Sequence, residues 1–170
     1  MTVDLRTSYL GLDLRSPIIA SAAPHNGEPV TAGLLERAGV GAIVLPSLFE
    51  EEILAEEIEL DRVLDQGTEQ FAEALDYFPA IGSVMGAADR YVTSIERIKA
   101  QVSVPVIASL NASTPGGWVP YARRIEAAGA DALELNLYHM TADPSRDAAG
   151  NDAMDLELIA AVRAAITIPL

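Results

Sequence analysis

The sequence contains no cysteine, so it can form no disulfide, no thiolate zinc site and no cysteine nucleophile. Aromatic residues make up only 5% of it, which argues against an all-β sandwich and for helices packed on strands. Basic residues are also scarce: 11 Lys and Arg against 25 Asp and Glu leave a formal net charge of -14. Such a surface repels phosphate backbones, and its few cations are scattered, so no nucleic-acid partner is expected. No apolar run approaches the length of a membrane span, and Met1 to Arg6 carries charge early without an apolar signal core. A cytoplasmic chain without membrane contact is therefore expected.

What the chain does have is a hydrophobic half, 50% of its residues, enough for one domain with a real core. Two weak internal repeats organise it. Ser16-Pro17-Ile18-Ile19-Ala20-Ser21 is echoed by Val104-Pro105-Val106-Ile107-Ala108-Ser109, each a short apolar run led by proline, as a strand buried on both faces would be. Glu36-Arg37-Ala38-Gly39-Val40-Gly41-Ala42-Ile43-Val44-Leu45 is echoed by Glu126-Ala127-Ala128-Gly129-Ala130-Asp131-Ala132-Leu133-Glu134-Leu135, which reads as a helix end, a glycine cap and a strand. The four strands lie in the chain order one, two, three, four across these segments.

Helical periodicity fills the intervals. Val30, Leu34 and Ala38 mark one apolar face; Tyr91, Ile95, Ile98 and Val102 a second; Trp118, Ala122 and Ile125 a third; Leu158, Val162 and Ala165 a fourth. Alternating strand and helix imply right-handed crossovers and a parallel sheet. Leu5 to Leu14 alternates apolar and polar residues around Gly11, the pattern of a hairpin laid across one end of that sheet. The segment from Phe49 to Phe78 exceeds a normal βα loop and is expected to hold short helices over Glu51 to Leu64 and Glu69 to Leu75. Its acidic run, Glu50 to Glu52 with Glu56 and Glu57, reads as a wet helix face rather than a metal site.

Ile166-Thr167-Ile168-Pro169-Leu170 opens like the proline-led strands and goes no further. The expected fold class is α/β, the N-terminal half of a parallel (β/α)8 TIM barrel with an N-terminal β-hairpin. As a single domain over residues 1–170 it would comprise a hairpin at 5–15, four βα units at about 17–166 and the start of a fifth strand at 168–170. A half-barrel leaves open sheet edges, so instability, aggregation or pairing of two halves as a homodimer is expected.

In such barrels chemistry stands at the C-terminal ends of the strands. Here those ends are polar: Ser21-Ala22-Ala23-Pro24-His25-Asn26, then Pro46-Ser47, then Ser109-Leu110-Asn111, then Asn136-Leu137-Tyr138-His139. Small residues at Ser21 and Ala22 let a flat ring approach the backbone, and Asn111 and Asn136 can donate and accept in the plane of that ring. Asn111 could instead cap the next helix. Ser47 can bind a ligand or start a turn after Pro46. His139, with its pKa near the working range, can serve as a general base or stand as a solvated loop histidine. Gly116-Gly117 lacks the lysine and spacing of a P-loop and reads as a helix-start turn. No metal site is expected.

The ordered set Tyr9-Leu-Gly-Leu, Ser16-Pro-Ile-Ile-Ala-Ser-Ala-Ala-Pro24, Val104-Pro-Val-Ile-Ala-Ser-Leu-Asn111 and Ala132-Leu-Glu-Leu-Asn136 resembles dihydroorotate dehydrogenase and its dihydroorotate dehydrogenase-like relatives. The resemblance runs along this chain and about the first half of that family's barrel. It implies an FMN-dependent oxidoreductase in the cytoplasm, oxidising a small cyclic, dihydropyrimidine-like substrate by hydride transfer to the flavin. Ser21, Ala22, Ser47, Asn111 and Asn136 match positions beside the flavin, Asn136 also touching substrate as a catalytic residue, and His139 takes the position of the base. Two departures bear on substrate: the family has a lysine after strand two where this chain has Pro46, and cysteine or serine as base where it has His139. A barrel lyase or isomerase, or a non-catalytic half-barrel that self-associates, are the other readings.

Overall fold

The computed structural model describes residues 3–56, 58, 86–112, 118–137 and 145–170. Near its start, Leu10 and Gly11 both take positive φ, 54° and 74°, the two-residue turn whose twist suits a tight hairpin. It joins β1 (Thr7–Tyr9) to β2 (Leu12–Leu14) in antiparallel register, Tyr9 opposite Leu12. The hairpin expected around Gly11 is present.

After it comes β3 (Ile19–Ala20), a 3-10 turn at Pro24–Gly27, and α1 (Pro29–Ala38). Then follow β4 (Ala42–Phe49), α2 (Ala87–Gln101), β5 (Val106–Ala112), α3 (Trp118–Ala127), β6 (Ala132–Leu137) and α4 (Ala148–Ala165). Residues 50–56 are helical, where the first insertion helix is expected. The rest of that insertion, including the second expected helix, lies outside the described residues, as do Gly116 and Gly117.

Strands β3 to β6 form one parallel sheet in the order β3-β4-β5-β6, which is chain order. A doubly wound sheet reverses direction at a switch point, and this one does not. Right-handed crossovers in one direction put every helix on the same face. That face carries Ile43, Leu45, Leu48, Val106, Ala108, Leu110 and Leu133, which share one core with Ile95, Ile98, Trp118, Ile125, Leu158 and Val162 from the helices. The fold is α/β, with four parallel strands alternating with helices behind an antiparallel hairpin.

The opposite face is lined differently. Ala42, Val44, Ile107 and Ala132 alternate with the helix-facing residues and pack against Leu14, Leu10 and Leu12 of the hairpin. The hairpin thus closes the end of this face where the strands begin, and leaves free the end where they finish.

The repeats seen in the sequence recur as repeated bonds. Gly39 and Gly129 end their helices in the left-handed region, φ 101° and 93°, where a Cβ is unfavourable. Gly41 N–H then donates to Ile18 O at 2.7 Å, as Asp131 N–H does to Val106 O at 2.9 Å. Ile43 N–H donates to Pro105 O at 3.0 Å, as Leu133 N–H does to Pro169 O at 2.9 Å. Gly41 is further required by space, since a Cβ there would stand 2.0 Å from Ser16 O. The two helix-end glutamates match as well. Glu36 Oε1 accepts from Ser103 N–H and Oγ–H, and Glu126 Oε1 accepts from Thr167 N–H and Oγ1–H. Each ties one βα unit to the loop entering a later strand. The serine and threonine hydroxyls, then their backbone N–H groups, hold both carboxyls below the usual glutamate range.

One helix face is corrected. Val30, Leu34 and Ala38 do not face the core: all three are exposed, and α1 buries Ala32 and Gly33 instead. The chain packs α1 closely, with a Cβ on Gly33 reaching 3.3 Å from the Gln101 amide nitrogen. Small residues on one stripe permit that approach, and the larger stripe turns outward.

Candidate functional site

Regular alternation along β4 would turn Val44 away from the helices, Leu45 toward them, Pro46 away and Ser47 toward. The register shows a different outcome. Val44 pairs with Ile107 and Ser47 with Ser109, so β4 spends three positions where β5 spends two. A β-bulge at Leu45-Pro46 accounts for the extra residue, and proline, which has no N–H to contribute to a ladder, suits that place. The bulge re-phases the strand. Ser47 now shares the helix-free face with Ser109, and Leu48 returns to the core at 4% exposure.

A bulge leaves ladder groups of the neighbouring strand without strand partners. Tyr91 of α2 supplies replacements beside it: its hydroxyl accepts from Ser109 N–H at 2.8 Å and donates to Ser109 O at 3.1 Å. Burial pushes the Tyr91 phenol well above its ordinary pKa, so it stays a neutral hydroxyl able to do both. The start of the bulge is held from the other side. Asn26, 2% exposed, donates both amide protons, to Ser21 O at 2.7 Å and Val44 O at 3.0 Å.

Four side chains converge past the bulge. Ser47 Oγ lies 2.8 Å from Ser109 Oγ, and Ser109 Oγ–H donates to Glu134 Oε1 at 2.7 Å. Asn136 Nδ2 lies 3.0 Å from Ser109 Oγ, 3.2 Å from Glu134 Oε1 and 3.3 Å from Ser47 Oγ. Ser109 is fully buried. Strand register explains the convergence: Ser47, Ser109 and Glu134 stand side by side on three adjacent strands, and Asn136 follows Glu134 by one pleat.

Asn111 stands beside Asn136 in register, one pleat beyond Ser109. It belongs to β5 itself, and the next described helix begins at Trp118. Its Oδ1 is buried without a hydrogen-bond partner, the one such side-chain atom among the described residues. A buried acceptor left open is unusual enough to require an explanation, and an absent ligand is one. Ser21 and Ala22 are exposed after β3 and line, with Tyr9 of the hairpin, Val44, Ile107 and Glu134 of the sheet and Arg163 of α4, a cavity of about 640 Å³.

The structure thus brings Ser47 and Asn136 into one bonded cluster, sets Asn111 next to it and places Ser21 and Ala22 on the adjoining cavity. Tyr138 and His139 lie outside the described residues. Glu134 escapes a reading based on strand ends, whereas Ser109 and Asn26 stand at the polar strand ends but are given no role by it. Glu134 and Ser109 do carry a signal, because Ala132-Glu134-Asn136 and Ile107-Ser109-Asn111 each alternate on one face of a strand.

Within the acidic run Glu51 and Glu52 are exposed, as a wet helix face requires, and Glu56 and Glu50 reach neighbouring helices. Glu56 accepts from Ala87 N–H at the start of α2 and pairs with Arg90 at 2.6 Å, while Glu50 accepts from Trp118 Nε1 at 3.4 Å.

A protein of Aeropyrum pernix assigned as dihydroorotate dehydrogenase A (fumarate) is 30% identical to this chain over 141 residues, 79% of the chain and 41% of that protein. The chain is a distant relative of that dehydrogenase. It spans about two fifths of the relative's length. No protein-family profile matches the sequence. Among solved structures, phosphonopyruvate hydrolase in complex with oxalate and magnesium superposes with a TM-score of 0.49 at 22% identity, over 89% of this chain and 44% of that one. Among the described residues no helix is long and apolar enough to cross a membrane.

Proposed function

We propose that this chain supplies the first four strands of an FMN-dependent oxidoreductase of dihydroorotate dehydrogenase type, with the ring bound across the polar ends of β4, β5 and β6. The carrying observation is the Ser47-Ser109-Glu134-Asn136 cluster, standing where the strands finish and beside the open acceptor Asn111 Oδ1. The distant relation to dihydroorotate dehydrogenase A supports the same reading. The residues fit a planar heterocycle. Ser21 and Ala22 add no bulk where its face would lie, and Asn111, Asn136 and Ser47 offer hydrogen bonds at its edge.

When bound, the flavin accepts a hydride from the substrate. The protein's own part is to hold and orient. Asn136 binds the edge of ring and substrate, Asn111 contributes its unsatisfied carbonyl oxygen, and Ser47 fixes Asn136 through the hydroxyl pair with Ser109. His139, three positions beyond Asn136, is the proposed base that removes a proton from a small cyclic, dihydropyrimidine-like substrate. The place of action would be the cytoplasm.

Barrels of this kind bind phosphate on the loops after strands seven and eight. The four-strand chain should therefore bind FMN weakly by its ring alone, and a chain carried through eight strands should purify yellow. A barrel-length protein that is colourless and fails to take up added FMN contradicts the proposal.

A second reading is pairing of two copies. It is favoured by Ile18, Val30 and Leu34 exposed on the β3 side and Leu156 and Ile159 exposed on the α4 side. A monodisperse dimer in sedimentation supports it, and a stable monomer rejects it.

A further inference from the structure

The polar cluster contains one group whose ionised form can only accept hydrogen bonds, the Glu134 carboxylate. We propose that Glu134 is a positioning residue that fixes the Asn136 amide, its NH2 turned into the cluster and its carbonyl oxygen turned out toward the ligand. The inference rests on the site reading above and adds a direction to it.

Ser109 Oγ–H is committed to Glu134 Oε1 at 2.7 Å, so the 2.8 Å contact between the two serines is Ser47 donating to Ser109. Each amide end of asparagine is either donor or acceptor, and the end 3.2 Å from Glu134 Oε1 must be the donor. The same NH2 then reaches Ser109 Oγ at 3.0 Å. Covalent geometry sends the carbonyl oxygen the other way. Without the carboxylate both amide orientations could be satisfied, since hydroxyls donate as readily as they accept. Asn111 Oδ1, next in register, is a second acceptor without a partner. The ligand edge that meets β5 and β6 must therefore carry N–H or O–H donors.

The Tyr91 hydroxyl of α2 lies behind Ser109, and Arg163 of α4 and Leu170, with the terminal carboxyl, line the cavity that Glu134 also lines. Phenols and guanidinium groups change charge far above the carboxyl range, and Glu134→Gln separates a response of the Glu134 carboxyl from one of the terminal carboxyl.

The test is nuclear magnetic resonance of the nitrogen-15-labelled chain, with the Asn136 side-chain amide assigned by its loss in Asn136→Ala. The expected result is one pair of amide protons, shifted from the exposed-asparagine position and moving with pH together with the Ser109 backbone amide. Glu134→Gln, which keeps an acceptor of the same shape, should retain the shifted pair and abolish the titration. Glu134→Leu should return the pair to the exposed position. If Glu134→Leu does not fold, the wild-type and Glu134→Gln titrations decide alone. An Asn136 amide that ignores pH in the wild-type chain, or still titrates in Glu134→Gln, overturns the proposal. Added FMN tests the site reading separately: a titrating amide that FMN does not perturb leaves the orientation standing and removes the flavin.

Discussion

Ser47 Oγ meets Ser109 Oγ at 2.8 Å across two parallel strands because Pro46 inserts one extra residue between them. Without that bulge Ser47 would point into the helices and the cluster would lose one corner. Deleting Pro46 removes the extra residue and should restore the plain ladder with Ser47 still opposite Ser109. Hydrogen exchange should then show a regular β4–β5 ladder, with Ser109 N–H protected by β4 instead of Tyr91, and the Asn136 side-chain amide should stay where it is. Unchanged protection of Ser109 N–H in Tyr91→Phe alone, or an Asn136 amide displaced by the deletion, would show that the bulge does not act by re-phasing the strand.

Tyr91→Phe isolates the other half of that arrangement. It removes the hydroxyl serving both Ser109 N–H and Ser109 O and leaves two buried backbone groups unsatisfied. The expected loss is about 1–3 kcal/mol, read from urea unfolding. A loss within about 0.5 kcal/mol, the range of ordinary surface changes, would mean that the bulged strand finds other partners.

Gly41→Ala and Gly39→Ala separate two uses of glycine. At Gly41 the new Cβ meets the Ser16 carbonyl at 2.0 Å, whereas at Gly39 space is open and only the φ of 101° resists. Steric crowding against backbone should make Gly41→Ala the more damaging, by more than the roughly 1–2 kcal/mol of a strained left-handed residue. Thermal unfolding of the pair checks the order, and equal midpoints would contradict it.

Glu36 and Glu126 predict the acid limb of stability. Both carboxyls are held below the usual glutamate range in the folded chain, so their contribution is complete above the unfolded-state pKa and disappears as pH falls through the lower folded value. Glu36→Gln and Glu126→Gln should therefore lower stability at neutral pH and make it less sensitive to acid. Urea midpoints at pH 7 and pH 3 that move in parallel for wild type and double variant would sink the idea.

Much of the fold is legible because its signals are local. Proline-led apolar runs mark the strands, Gly39 and Gly129 end helices, and the Leu10-Gly11 turn is written in two residues. The faces of α2, α3 and α4 read correctly because each has one dominant stripe, centred on Ile95, Trp118 and Val162. Helix α1 has two, and periodicity alone does not say that close packing selects Ala32 and Gly33 over Val30 and Leu34. Asn111 and Asn136 are visible as polar residues at strand ends. So is Ser109, but not its bond to Glu134, which sits inside a run that reads as core, and the turn of Ser47 toward the cluster depends on a bulge that shifts phase without leaving a motif.

Asn136→Ala should leave the fold intact, since the residue is only half-buried, while reducing ring binding. In a barrel-length protein the expected loss is about 1–3 kcal/mol, or roughly tenfold to a hundredfold in FMN affinity, the range for a buried hydrogen-bond partner left unmade. Flavin fluorescence titration reads it. Equal affinity in wild type and variant would remove Asn136 from the site.

The central claim is that the polar strand ends bind the ring, and the most direct measurement is amide shift mapping of the labelled chain as FMN is added. The account predicts shifts at Ser21, Ala22, Ser47, Asn111 and Asn136, weak in affinity and reaching no further into the hairpin than Tyr9 and Leu10, which line the same cavity. Shifts confined to the hairpin or to the helical surface, or none at millimolar FMN, would contradict it.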